Sequence, residues 1–191
     1  KDMDELYHKV LLMDRGRWKT MKKIVDLFAG CGGLSMGFQD AGFNIVGAFE
    51  FWDIAADCYE KNFSNTLFIV WIYLMLKSPL KKYRLLKPEI IIGGPPCQDF
   101  SHAGKRIEAG RASLTGAYAQ IISEIRPRYF VMENVDALQK SNTYAFARDI
   151  FVKAGYGLTE IILDASHCGV PQKRKRFFCI GSLGQKDGFF T

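Results

Sequence analysis

The most constraining feature of the sequence is a short apolar segment that runs into a rigid turn carrying a cysteine. Residues 90–92 are three isoleucines, and residues 93–98 read GGPPCQ. Consecutive β-branched residues favour a buried strand, the glycines permit a sharp bend, and the prolines fix the backbone. Open α/β sheets bind their ligands at the carboxyl ends of their strands. We therefore interpret Cys97 as a candidate nucleophile at a ligand-binding edge.

Segments typical of strands alternate with segments typical of helices along the rest of the chain. Strands are predicted at residues 24–28, 44–49, 67–71, 89–92, 128–132, 158–163 and 177–181, and helices at residues 34–41, 54–62, 118–125 and 144–154. This alternation predicts an α/β fold with a doubly wound, mostly parallel seven-stranded sheet. The last two strands are predicted to form an antiparallel hairpin.

Composition limits the class of protein. The chain has 191 residues, is 48% hydrophobic and carries a net charge of +6, which is compatible with a polyanionic partner without requiring one. Its five cysteines are odd in number and include no CxxC pair, which argues against a disulfide framework and against a zinc site. The longest apolar run, residues 67–76, is too short for a membrane helix. We expect a soluble protein of a reducing, intracellular compartment, with no bound metal.

A second ligand-binding pattern follows the first predicted strand. Glycines occupy positions 30, 32 and 33 between that strand and a helix, where the backbone can approach a ligand closely. Glu50 follows the next strand, where a carboxylate can accept hydrogen bonds from a ribose, and Phe51 and Trp52 offer aromatic faces. Together these residues predict a nucleoside pocket. The alternative is that Glu50 caps a helix and that the aromatic residues are core.

Four motifs, in this order, resemble those of the DNA (cytosine-5)-methyltransferases. They are residues 26–33 (DLFAGCGG), 94–98 (GPPCQ), 133–135 (ENV) and the pattern QxRxR at 172–176. The resemblance covers nearly all of residues 21–191, which we interpret as a catalytic domain of the bacterial restriction-modification type. It implies a Rossmann-like, S-adenosylmethionine-dependent methyltransferase fold. Residues 1–20 are interpreted as an extension, tag or linker.

The resemblance also implies a role for each matching residue. Cys97 matches the thiolate that adds to carbon 6 of a flipped-out cytosine, which makes carbon 5 able to accept a methyl group. Glu133 matches the acid that hydrogen-bonds N3 and the exocyclic amine. Arg176 matches the guanidinium at the base oxygen, and Arg174 supports the same site.

S-adenosyl-L-methionine is the implied methyl donor, and duplex DNA is the implied partner. The residues that match the cofactor pocket are Phe28, Gly30, Cys31, Gly33, Glu50, Phe51, Pro96 and Leu114. The residues expected to contact DNA are Gln98, Ser101, Lys105, Arg106 and Arg111. One departure concerns the adenine, because residues 61–88 contain none of the acidic residues that the family places after the third strand. Backbone groups then read the adenine, or the pocket is altered.

The second departure is the lack of the family's target-recognition region and closing segment. The chain could be a fragment, one subunit of a split enzyme completed by a second polypeptide, or a sequence without a disordered remainder. We expect the chain alone to show weak or no sequence-specific methylation. Two other functions stay open, namely an RNA (tRNA) cytosine-5 methyltransferase and a non-catalytic subunit with a degenerate methyltransferase fold. For a bacterial enzyme the expected location is the cytoplasm, at the nucleoid.

Overall fold

The computed structural model describes residues 23–64, 68–70, 86–96 and 113–189. Within these residues the strands are β1 (Lys23–Leu27), β2 (Asn44–Glu50), β3 (Phe68–Val70), β4 (Ile90–Gly93), β5 (Tyr129–Val135), β6 (Tyr156–Asp164) and β7 (Lys175–Leu183). The α-helices are α1 (Gly33–Asp40), α2 (Asp53–Asn62), α3 (Leu114–Ile125) and α4 (Asn142–Lys153). Two short 3-10 helices span Asp136–Lys140 and Ala165–His167. No helix among the described residues is long and apolar enough to cross a membrane.

All seven strands belong to one sheet, in the order β3-β2-β1-β4-β5-β7-β6. The pairs from β3 to β5 are parallel, whereas β7 is antiparallel to both β5 and β6. This topology confirms the predicted doubly wound, mostly parallel sheet with a terminal antiparallel strand. The hairpin partner β6 lies at the edge, so that β7 is inserted between β5 and β6.

Helices cover both faces of the sheet, as the continuous apolar strands require. Alternation along β1 shows the division, because Val25 and Leu27 pack in the cluster that contains α3 and α4 residues such as Tyr118 and Phe151. Ile24 belongs to the opposite cluster, which receives partly buried side chains of α1. A third, smaller cluster joins the sheet to α2. Strands β1, β2, β4 and β5 contribute to both clusters, whereas residues of β6 and β7 are found only in the cluster of α3 and α4.

The direction of winding reverses between β1 and β4, and this creates the ligand-binding edge. The two strands are adjacent and parallel, with Leu27 opposite Gly93. A Cβ at Gly93 would lie 2.3 Å from the carbonyl oxygen of Leu27, so this close approach requires glycine. The turn after each strand opens toward the same crevice, as expected at a switch point of this kind of sheet.

Several predicted boundaries were wrong by a few residues. Helix α3 begins at Leu114 rather than at 118, because the Ser113 side chain accepts a hydrogen bond from the Gly116 N–H and caps the helix. Strands β6 and β7 are each longer than predicted, since their antiparallel pairing continues from Tyr156 opposite Leu183 to Asp164 opposite Lys175. Of the predicted third strand, residues 68–70 are described and form β3.

A buried polar chain connects β1 to both helices beside the first turn. The Ser35 hydroxyl donates to Asp26 Oδ2 at 2.6 Å, and the Tyr59 hydroxyl donates to Ser35 Oγ at 2.9 Å. Asp26 is fully buried, and its Oδ1 atom has no hydrogen-bond partner among the described residues. Burial is the largest cause of a raised pKa, which reaches about 7. The carboxyl group is therefore substantially protonated near neutral pH.

This protonation predicts a pH-dependent stability. Between pH 3.8 and about 7 the folded chain retains a proton on Asp26 that the unfolded chain has lost. The resulting stabilisation is complete at acidic pH and is lost as the pH rises through about 7. Relative to Asp26→Asn, the wild-type free energy of unfolding should thus fall by a few kcal/mol across this range, measured by urea denaturation at a series of pH values. Asp40→Asn makes the same change at an exposed position and should alter the pH dependence little; equal slopes for wild type and Asp26→Asn would contradict the prediction.

Candidate active site

A cleft of about 560 Å³ lies at the carboxyl ends of the strands. Its lining residues come from the glycine turn, from β4 and β5, and from the β6–β7 hairpin. They are Phe28, Ala29, Gly30, Gly33, Leu34, Gly94, Glu133, Leu163, Ala165, Cys168, Arg174, Arg176 and Phe178. The cleft thus brings together three predicted cofactor residues and all three predicted catalytic residues that the structure describes.

The glycine turn forms one wall through an unusual backbone path. Phe28 and Gly30 both have positive φ, at 61° and 54°, which turns the chain sharply after β1. A Cβ at Gly32 would lie 2.3 Å from the Phe63 ring, so the turn packs directly against the end of α2. Gly30 and Gly33 have no atom within 4 Å of the position of a Cβ. The turn therefore presents bare backbone to the cleft at the N-terminus of α1.

Glu50 organises this turn through its carboxylate. Oε2 accepts a hydrogen bond from the Gly30 N–H at 2.7 Å, and Oε1 accepts from the N–H groups of Phe51 and Trp52 at 2.8 and 2.9 Å. The side chain is 5% exposed. A carboxylate offers about four acceptor positions, so three are used and one is left for a ligand. The contact with Gly30 was missed from the sequence because the two residues are 20 positions apart.

The other predicted cofactor residues occupy different surroundings. Phe51 is 45% exposed and lies beside Glu50, outside the residues that line the cleft. Cys31 is exposed, and the neighbouring Cys58 thiol on α2 raises the pKa of Cys31. Pro96 is half-buried after β4. Leu114 is buried in the core that contains α3 and α4.

On the opposite wall, Glu133 and Arg176 form an ion pair. Arg176 Nε lies 3.0 Å from Glu133 Oε1, and both side chains are about three-quarters buried. Burial raises the pKa of the Glu133 carboxyl, and the charges of Arg176 and Arg174 offset part of that rise. A carboxyl poised in this way can hold a proton for a bound base, while a guanidinium beside it can donate to a carbonyl oxygen.

Asn134 connects this wall to the turn that precedes the candidate nucleophile. Its Nδ2 donates to the Pro95 carbonyl oxygen at 2.6 Å, and its Oδ1 accepts from the Val135 N–H at 2.9 Å. The side chain is 5% exposed, so this hydrogen bond is shielded from water. Gly94 lies on the same path, where a Cβ would come within 3.1 Å of Glu133 Oε2. The ENV motif therefore fixes the chain at Pro95, two residues before Cys97.

The candidate nucleophile and the candidate DNA contacts lie outside the described residues. These are Cys97, Gln98, Ser101, Lys105, Arg106 and Arg111. Most of residues 61–88, where the family's acidic residue is missing, is likewise outside them. Within the described residues, no three His, Cys, Asp or Glu side chains are grouped as a metal site.

Sequence reasoning missed four lining residues of the hairpin, namely Leu163, Ala165, Cys168 and Phe178. Leu163 and Phe178 belong to strands whose apolar pattern looked like ordinary core. Cys168 is in the loop between β6 and β7, and its proximity to Arg174 in sequence was the only available indication.

Loss of the Asn134 hydrogen bond should destabilise the fold. In Asn134→Ala the Pro95 carbonyl loses its buried partner, which should lower the free energy of unfolding by about 1–3 kcal/mol. Asn142→Ala, the same change at an exposed position of α4, should stay within about 0.5 kcal/mol. Urea denaturation of both variants makes the comparison. Equal effects of the two substitutions would show that the Asn134 contact does not hold the turn.

Comparison with known proteins identifies the family. The model of the C-5 cytosine-specific DNA methylases matches residues 22–188. The type II methyltransferase M.HindV of Haemophilus influenzae is 51% identical over 168 residues, which cover 87% of this chain and 55% of that protein. For M.HgiDI of Herpetosiphon aurantiacus the identity is 46% over 160 residues, covering 83% and 52%. The chain thus spans about half the length of these curated relatives.

The fold is also that of a solved relative. The structure of Spodoptera frugiperda DNMT2 matches with a TM-score of 0.77 and 24% identity, covering 89% of this chain and 52% of that one. At this identity the match concerns the fold alone, and it agrees with the sheet described above. Because the family model matches nearly all of the described chain and the identity to M.HindV is 51%, the chain belongs to the C-5 cytosine-specific DNA methylase family.

Proposed function

We propose that this chain is the catalytic part of a bacterial DNA cytosine-5 methyltransferase, which methylates carbon 5 of a cytosine swung out of duplex DNA. The observation that carries the proposal is the Glu133–Arg176 pair, 3.0 Å apart, in one cleft with the glycine turn. A base held by the pair would lie across the cleft from a ligand held by the turn. Family membership and the type II relatives support the same reaction.

Glu133 and the two arginines would bind the base by its polar edge. A protonated Glu133 donates to N3 and its other oxygen accepts from the exocyclic amine, while Arg176 donates to the base oxygen. These contacts draw electron density from the ring and make carbon 6 electrophilic. Burial raises the pKa of Glu133, which favours the protonated form that donates to N3.

Cys97 would supply the nucleophile. Its thiolate adds to carbon 6, and the electron pair displaced from the ring double bond makes carbon 5 nucleophilic. Carbon 5 then takes the methyl group, loses its proton to a base, and the re-formed double bond expels the thiolate. Asn134 would serve this step indirectly, because it fixes the chain at Pro95 beside the nucleophile.

The residues of the first wall fit S-adenosyl-L-methionine, which supplies an electrophilic methyl group when bound. The open backbone at Gly30 and Gly33 leaves room for its amino acid portion, at a helix N-terminus that favours a carboxylate. The remaining acceptor position of Glu50 suits a ribose hydroxyl. Phe51 has an exposed ring on which adenine can stack.

Duplex DNA is the proposed substrate. Its target base has to leave the duplex, because a base inside the stack cannot reach this cleft. Enzymes of this class turn the target nucleotide out at a cost of a few kcal/mol. Lys105, Arg106 and Arg111 are proposed to contact the phosphates of the opened strand. The proposed location is the bacterial cytoplasm, and a second polypeptide that supplies target recognition is compatible with the proposal.

The cofactor assignment predicts a loss of affinity in Phe51→Ala. Stacking of a base on an aromatic ring is worth about 1–3 kcal/mol, so binding of S-adenosylmethionine should weaken by about 5- to 150-fold. Isothermal titration calorimetry on the 191-residue chain measures the effect. Ile54→Ala removes another exposed apolar side chain, from α2, and should bind as the wild type does. Equal affinity of both variants and the wild type would remove Phe51 from the pocket.

Methyl transfer tests the reaction itself. Labelled S-adenosylmethionine is offered with mixed-sequence duplex DNA and with tRNA in competition, and the product nucleosides are identified. The proposal predicts 5-methyldeoxycytidine, and no label above background with Cys97→Ser. Label confined to tRNA would favour the RNA methyltransferase alternative. Because the chain alone is expected to methylate weakly, cofactor binding without transfer to either substrate would favour the non-catalytic alternative only if it persists when a candidate second polypeptide is added.

A further inference from the structure

We propose that Asp164 is a positioning residue, which fixes the backbone of Arg174 and thereby holds its guanidinium group in the cleft beside Glu133. Only the importance of this contact for catalysis rests on the proposed function. Its geometry stands on the described residues alone. Asp164 was no part of the sequence motifs, because it precedes the QxRxR pattern by eight residues and closes β6.

One carboxylate oxygen of Asp164 accepts hydrogen bonds from both ends of the β6–β7 loop. Oδ1 accepts hydrogen bonds from the Ser166 N–H at 3.1 Å, from the Ser166 hydroxyl at 2.9 Å and from the Arg174 N–H at 3.1 Å. The first two belong to the start of the loop and the third to its end. These hydrogen bonds, with those from Ser166 largest, lower the pKa of Asp164, so the group is ionised at neutral pH.

Hydrogen bonds fix both the N–H and the carbonyl group of Arg174. Its N–H donates to Asp164, and its carbonyl oxygen accepts from the Ala165 N–H at 3.0 Å. Arg174 is exposed, so packing against other side chains constrains its side chain little, and these backbone hydrogen bonds fix the point from which it extends. Without Asp164 the carbonyl contact remains, while the N–H side of Arg174 is released to water.

The loop that this clamp closes contributes directly to the cleft. Ala165, Cys168 and Arg174 all line it, and two further backbone hydrogen bonds to Ala165 O, from Cys168 and Val170, shape the loop between them. Closing a loop of this length costs conformational entropy, which local hydrogen bonds offset. Asp164 is therefore placed to set how far Arg174 reaches toward Glu133.

Glu133 itself reports the position of Arg174. The charged or titratable groups that line the cleft with it among the described residues are Arg174, Arg176 and Cys168. Because Arg174 lowers the Glu133 pKa, its withdrawal should raise it. Loss of the negative charge of Asp164 by itself acts in the opposite direction. An upward shift therefore distinguishes displacement of Arg174 from a simple change of charge.

The experiment is a carbon-13 NMR titration of the Glu133 carboxyl group in the full chain. Asp164→Ala should move the midpoint upward from the wild-type value. Asp164→Asn keeps an acceptor oxygen at the same place without the charge, and should show no upward movement. Arg174→Gln should reproduce the upward shift, and adding Asp164→Ala to it should move the midpoint no further.

An unchanged or lowered midpoint in Asp164→Ala would overturn the proposal, as would a further upward shift in the double variant. If Asp164→Ala fails to fold, a titration of the wild-type chain still tests the proposal. Its Ser166 and Arg174 amide protons should both titrate with Asp164 at acidic pH, with a midpoint below that of an ordinary aspartate. An Arg174 amide that does not follow this titration would overturn the clamp. None of these readouts needs DNA, so failure of the clamp and failure of the proposed function are separable.

Discussion

The candidate site depends on the antiparallel pairing of β7 with β5. In this register Glu133 lies opposite Phe178, and Val135 lies opposite Arg176. Glu133 and Arg176 are thus diagonal neighbours on one face of the sheet, a distance that a long side chain can bridge. Gly181 secures the register, because a Cβ there would lie 1.9 Å from the ring of Phe130 opposite it. If the pairing of β5 with β7 slipped by one residue, Glu133 and Arg176 would lie on opposite faces of the sheet and could not pair.

The two walls of the cleft are held by different kinds of contact. On the cofactor side, Glu50 binds the backbone of the glycine turn, so a residue assigned to a ligand also shapes the protein. On the base side, Asn134 holds Pro95 and Asp164 holds Arg174. In each case a polar side chain at a strand end fixes the backbone that carries a functional group. These hydrogen bonds fix the backbone from which the functional groups extend.

Much of the fold could be predicted from the sequence. Short apolar runs between glycine turns located all seven strands, and the ordered motifs located Glu133, Arg174 and Arg176 in one site. The start of α3 was missed because Thr115 and Gly116 are poor helix formers, while the Ser113 cap that overrides them is a single residue. The insertion of β7 between β5 and β6 could not be read, because local patterns do not specify which strand pairs with which.

Contacts between distant residues set the limit of prediction within the site. Glu50 with Gly30 and Asn134 with Pro95 join positions 20 and 39 apart, and nothing local distinguishes them from other pairings. The central claim is that Cys97 attacks the base in this cleft, and it is tested most directly by mass spectrometry of the chain after reaction with S-adenosylmethionine and duplex DNA containing 5-fluorocytosine, which blocks release of the thiol. The account predicts a single modified peptide in which Cys97 is linked to the methylated base. An adduct that persists in Cys97→Ser, or that maps to Cys168 in the β6–β7 loop, would contradict it.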